Sequence, residues 1–157
     1  MENHLPDQDD LDAAENKINN TTKYDELINS LADQYGLDPM YIKCTMYQES
    51  TFYTGAQSAY AAGLMQITPG TARDLAPKLF SNLTDEEIKE WLKANPTECV
   101  KLGVKYLDQL INDYGYDPAL ALAAYNAGPG KKAIRNGEIP NIPETKGYVA
   151  RIAAFYK

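Results

Sequence analysis

The chain has 157 residues, long enough for one domain with its own core. A formal charge of −7 argues against a sequence-independent grip on nucleic-acid phosphates, and no segment is apolar for long enough to span a bilayer. Two cysteines and one histidine do not make a metal site, and no cofactor is expected.

Acidity is concentrated at the start, in Asp7, Asp9, Asp10, Asp12 and Glu15. Residues 1–22, with His4 among them, read as a solvated, disordered tail or a fraying short helix without chemistry, so the domain is expected over 23–157. Tyr24, Leu27, Ile28, Leu31 and Tyr35 then mark a helical face, opened by Thr21 or Thr22 and stopped by Gly36. Asp38-Pro39 opens the next helix, Asp as cap and Pro at the first helical position. Along it Ile42, Met46 and Glu49 share one face, opposite a solvent side carrying Lys43. Glu49 is therefore expected beside apolar neighbours at the negative end of a helix, two effects that raise a carboxyl pKa. The structural alternative is a buried glutamate paired with Arg or Lys. Cys44, on the same helix, reads as core packing, and whether it pairs with Cys99 cannot be read from sequence.

Residues 51–67 are rich in Gly, Ala, Ser and Thr, with scattered aromatics, and read as a loop with a small strand pair. Phe52 fits packing, whereas Tyr60 fits either a core plug or a stacking platform for a ligand. Thr68-Pro69 caps a short helix through Leu75, and Thr84 with Glu87 forms a capping-box pattern before Ile88, Trp91 and Leu92. Asn95-Pro96-x-Glu98 opens a long helix whose stripe includes Val100, Gly103, Val104, Leu107 and Leu110 and ends at Gly115. Gly103 within the stripe implies close approach of another helix. Asp117-Pro118 caps the Ala-rich helix Ala119 to Ala127, and Ile142-Pro143 starts a final helix with Val149, Ile152 and Tyr156 inward.

Three blocks carry a resemblance. Glu49-Ser50-x-Phe52, Ala56-x-Ser58 and Gly63-Leu64-Met65-Gln66-Ile67-x-Pro69-x-Thr71-Ala72 form the first. A-L-A-A-Y-N-A-G-P-G, ending at Gly130, is the second, and P-E-T-x-x-Y-V from Pro143 is the third. Together they resemble the soluble lytic transglycosylase family of the lysozyme-like superfamily, over about residues 24–156. One departure stands out: the segment Ser58 to Gly63 is a residue shorter than the family's and lacks its Gly-Ala pair.

The resemblance implies a mainly α (α+β lysozyme-like) domain, with a small loop/strand region walling a substrate cleft. It also implies cleavage of the β-1,4 bond between N-acetylmuramic acid and N-acetylglucosamine in peptidoglycan, leaving a 1,6-anhydro end. Glu49 would act as acid and then as base. Ser58, Gly63, Met65, Gln66, Tyr125, Asn126, Glu144 and Tyr148 would be the substrate-binding set, with core filling as the alternative for Met65 and a helix-dipole role for Glu144. A glycosidase with two carboxylates needs a second acid, and none occurs between Glu49 and Asp74, although Glu98 or Glu144 could fold back. A hydrolytic muramidase on the same fold and an inactive cell-wall-binding module stay as alternatives. The expected partner is the peptidoglycan glycan strand, met by a monomer outside the cytoplasm. Residues 1–22 show no secretory leader, so either a leader was removed or a phage particle or secretion apparatus delivers the chain.

Overall fold

The structure, a computed structural model, describes residues 5–156. Its helices in chain order are α1 (Gln8–Asn20), α2 (Asp25–Tyr35), α3 (Pro39–Ser50), α4 (Pro69–Leu75), α5 (Pro77–Phe80), α6 (Asp85–Ala94), α7 (Pro96–Asp108), α8 (Pro118–Ala127), α9 (Lys132–Arg135) and α10 (Pro143–Phe155). Extended pairing among the described residues is limited to two isolated antiparallel bridges, Gln57 with Ala62 and Ala62 with Ile67. The mainly α reading with a small loop and strand region matches this architecture. The chain divides into two compact units, Thr21–Lys105 and the segment up to Asn20 together with Tyr106 onward. The boundary after Lys105 falls inside α7.

Side-chain caps set four of the helix starts. Asp38 accepts from the Met40 N–H at 2.9 Å, Thr68 from the Thr71 N–H at 3.1 Å, and Asp117 from the Leu120 N–H at 2.8 Å. Thr84 and Glu87 exchange both bonds of a capping box, at 2.9 and 3.1 Å. Each such cap is worth about 1 kcal/mol because it satisfies N–H groups that have no partner within the helix.

In the unit Thr21–Lys105, α2 packs on α3, and α4 packs on α5 and α6. Ile42, Met46, Leu64, Ile67, Ile88 and Leu92 are buried in its core. Trp91 meets Phe80 edge-on, ring centroids 5.0 Å apart at 87°, which is a packing role. Lys43 corrects the expected solvent face of α3: it is buried and pairs with Asp25 of α2 at 2.7 Å. Gly103 does mark a close approach, but the neighbour is the loop residue Met65 rather than a helix.

In the other unit, α10 packs on α8 and α1, and α8 also meets α9 and the π-helical turn Gln109–Asp113 that continues α7. The long helix expected up to Gly115 therefore loosens in its last turn. Within the acidic start, Gln8–Asn20 form α1. Leu11, Ala14 and Ile18 form a helical stripe inside the acidic run, and Ala14 and Ile18 are buried. Asp7 and Asp10 reciprocate across the first turn, each N–H donating to the other's carboxylate, at 3.1 and 2.8 Å. His4 lies outside the described residues. On α10 the inward residues are Thr145, Tyr148, Arg151 and Ile152, while Tyr156 is exposed and Val149 half-buried.

Candidate active site

Glu49 stands in the last turn of α3 and is half-buried. The chain leaves this helix through two consecutive non-glycine residues in the left-handed region, Thr51 at φ 49 and Phe52 at φ 65. Such conformations cost about 1–3 kcal/mol each and persist only where surrounding bonds fix them. Ser50 supplies two of these bonds: its hydroxyl donates to the Met46 carbonyl at 3.1 Å and accepts from the Phe52 N–H at 3.2 Å. The Thr51 N–H donates to the Tyr47 carbonyl at 2.8 Å, and the Phe52 ring settles 5.9 Å from that of Tyr47. The backbone on the far side of Glu49 is thus held from several directions. Sequence reasoning assigned no task to Ser50; its signal was a serine directly after a glutamate at a helix end.

The loop that follows is tied by Gln66, the remaining non-glycine residue at positive φ (48°) among the described residues. Its side-chain amide donates to the Ala56 carbonyl at 3.0 Å and to the Gly63 carbonyl at 2.9 Å. Both donors of the amide therefore serve the loop, and its carbonyl oxygen is the group left for a ligand. Ser58 is exposed, and its hydroxyl accepts from the Tyr60 and Ala61 N–H groups at 3.2 and 3.1 Å. Gly63 and Met65, expected on the substrate side, face inward. A Cβ on Gly63 would lie 2.6 Å from Cys99 Sγ, and Met65 is fully buried against Gly103.

The other unit carries the remaining expected residues. Tyr125, half-buried in the last turn of α8, packs its ring 5.2 Å from that of Tyr106. Asn126 accepts from the Thr145 hydroxyl at 2.8 Å and donates to Glu144 Oε2 at 3.4 Å. Thr145 is buried, and sequence reasoning passed it over because a Thr in a first helical turn has no signature of its own. Tyr148 is 2% exposed, so its ring fills the core instead of closing one side of a cleft. Glu98, one of two acids weighed as a second carboxylate, is exposed and pairs with Lys101 at 3.6 Å.

Cys44 and Cys99 are free thiols. Burial pushes each up to about 11, opposed for Cys99 by hydrogen bonds from the Met65 and Leu64 backbone. Among the described residues no group of three or more His, Cys, Asp or Glu is placed to hold a metal ion, and no helix is long and apolar enough to cross a membrane.

A glutamate at a constrained helix end, followed by an uncharged loop clamped by glutamine, is the pattern a family comparison can decide. The family described as "Transglycosylase SLT domain" matches residues 26–142. The chain belongs to this family. It is 30% identical over 145 residues to the "Soluble lytic murein transglycosylase" of Salmonella typhimurium, covering 84% of this chain and 22% of that protein. It is 36% identical over 118 residues to the "Membrane-bound lytic murein transglycosylase C" of Histophilus somni, covering 69% of this chain and 31% of that protein. Among solved structures, it is similar to the lytic transglycosylase Slt of Pseudomonas aeruginosa, an inactive glutamate-to-glutamine mutant. That match has a TM-score of 0.68 at 29% identity and covers 87% of this chain and 24% of the other. The 70 kDa soluble lytic transglycosylase of Escherichia coli also matches, at TM-score 0.68 and 29% identity, over 85% of this chain and 23% of the other. The chain thus spans about a fifth to a third of the length of these relatives.

Proposed function

We propose that this chain is a peptidoglycan lytic transglycosylase unit, cleaving the β-1,4 bond between N-acetylmuramic acid and N-acetylglucosamine without water. The observation that carries the reading is Glu49: a half-buried acid at a constrained helix end, followed by no charged residue until Arg73. The relatives' names, and the inactivity of one after a single glutamate-to-glutamine change, support it.

Glu49 in its neutral form donates a proton to the glycosidic oxygen as the bond to the muramic C1 breaks. Positive charge develops at that carbon, and the N-acetylglucosamine side leaves as an alcohol. The Glu49 carboxylate then takes the proton of the muramic C6 hydroxyl, whose oxygen attacks C1 and closes the 1,6-anhydro ring. The nucleophile belongs to the same sugar, so its positioning is already provided.

For the substrate side, Ser58 and the carbonyl oxygen of Gln66 offer polar groups from the loop. Tyr125, Asn126 and Glu144 are assigned substrate-side roles on the family resemblance. Gly63, Met65 and Tyr148 act by shaping the elements around them. We place the activity on wall glycan outside the cytoplasm, by a monomer.

The test is product analysis by mass spectrometry of purified sacculi treated with the chain and with Glu49→Gln. The wild type releases 1,6-anhydromuramyl products, and Glu49→Gln, folded by circular dichroism, loses about a hundred- to ten-thousand-fold in rate. Equal clearing by both proteins ends the assignment to Glu49. Products with reducing ends would mean hydrolysis.

A further inference from the structure

From Ser50 to Ala72 the chain carries no Asp, Glu, Lys or Arg, in a sequence that is 24% charged. Thr51, Tyr53, Gln57, Ser58, Tyr60 and Thr68 are the polar side chains it leaves exposed. A surface of hydroxyls, amide and aromatic rings complements a neutral polyol, and the two lysines that border it, Lys89 and Lys93, are each paired with a carboxylate of their own helix, Glu86 and Glu90.

Tyr60 is the most exposed aromatic ring of this stretch, at 78%. Leaving an aromatic ring in water forfeits the burial that rings normally gain. The backbone carrying Tyr60 is pinned. The Tyr60 N–H donates to Ser58 Oγ at 3.2 Å, and the Ser58 N–H donates to the Ala61 carbonyl at 2.9 Å. The Lys89 ammonium of α6 donates to the Ala59 carbonyl at 3.4 Å, and Lys93 of the same helix donates to Gln57 Oε1. The turn is thus tied to its own ends and to a helix, and the ring stands out from it.

We infer that Tyr60 is a stacking platform for one pyranose ring of an N-acetylated glycan. The inference rests on the function proposed above and adds to it a specificity-determining contact. A sugar presents axial C–H groups on one face, slightly positive, and these fit the negative face of an aromatic ring. The preordered turn means that little conformational entropy is lost when the sugar arrives, so the contact contributes to affinity. Tyr60 sits within the segment Ser58 to Gly63 that departs from the family pattern.

The test measures binding of chitohexaose to the full chain carrying Glu49→Gln, which separates binding from turnover, by calorimetry. Tyr60→Ala in that background weakens binding about tenfold, while Tyr60→Phe and Tyr60→Trp, which keep a ring, stay within about twofold. On sacculi, Tyr60→Ala raises KM and leaves kcat at saturation unchanged. Unchanged affinity in Tyr60→Ala, failure of Phe and Trp to preserve binding, or absence of chitohexaose binding by the parent would each overturn the platform. If the parent binds chitohexaose but the wild type releases no anhydro products, the proposed reaction falls while the platform is still decided by Tyr60→Ala. An unaltered melting temperature in Tyr60→Ala confirms that the loss is one of contact.

Discussion

Gly103 and Met65 touch so closely that no side chain fits between them. A Cβ on Gly103 would lie 2.6 Å from both Cβ and Cγ of Met65 and 2.8 Å from its Cε. This contact seats the Gly-Leu-Met-Gln loop directly on α7. In an open helix interior, Gly→Ala stabilises by about 1 kcal/mol, since alanine is the better helix former. Here the sign reverses. The clash involves the Met65 Cβ, which cannot swing away as a side-chain tip can, and overpacking of this kind costs about 1–3 kcal/mol. Gly103→Ala is expected to lower the melting temperature, and a rise on thermal unfolding would show that the loop yields.

Gln66 binds the loop through donors, and this makes its replacements separable. Gln66→Ala loses the bonds to the Ala56 and Gly63 carbonyls, for about 1–3 kcal/mol. Gln66→Glu keeps the length of the side chain but turns an acceptor toward two carbonyl oxygens, so it is expected to be the worse of the two at neutral pH. Its deficit shrinks as pH falls, because a protonated carboxyl regains one donor. Denaturant unfolding of both variants at two pH values checks the order. Equal stability throughout would remove the clamp.

The features legible in the sequence are those whose chemistry is local. Asp38, Thr68, Thr84 and Asp117 were readable as caps because an N-cap and its target lie within three residues. Glu49 was readable from its helical spacing and from the flanking motif. What stayed hidden depends on residues far along the chain. Lys43 looks like a solvent residue until Asp25 reaches it from α2. The apolar stripe of α1 is three residues within an acidic run, and only packing on α10 gives it a purpose. Tyr148 in its motif looks like a ligand contact, and its burial follows from which side of α10 is covered. The left-handed exit at Thr51 and Phe52 had no sequence signal, since neither residue is a glycine or asparagine.

Asn126 and Thr145 form a pair in which one partner is buried. The Thr145 hydroxyl donates to Asn126 Oδ1 at 2.8 Å and is closed off from water. Asn126→Ala strands that donor and is expected to cost about 1–3 kcal/mol. Thr145→Val in the same background removes the stranded group, so the double variant should be more stable than Asn126→Ala alone. Asn126→Asp keeps the acceptor for Thr145 but sets a second carboxylate beside Glu144. It should therefore be destabilised at neutral pH and recover when Glu144 is also changed to Gln. Additive losses in either cycle would deny the coupling.

The two thiols give a pH prediction with a definite sign. Both Cys44 and Cys99 are raised from an ordinary 9.0 to about 11, because burial disfavours the thiolate. The folded state thus holds these protons in a range where the unfolded chain has released them. Their contribution is fully present below pH 9, and it declines as pH rises toward 11. Cys44→Ala/Cys99→Ala loses packing as well, so the diagnostic is the slope: its stability should fall less steeply between these pH values than that of the parent. Reactivity follows the same physics, since only the thiolate attacks. An aromatic disulfide reagent at pH 8 should leave the native chain unmodified and titrate both cysteines once denaturant is added. Rapid labelling of the native chain would mean that at least one of the two thiols is not sealed in the core.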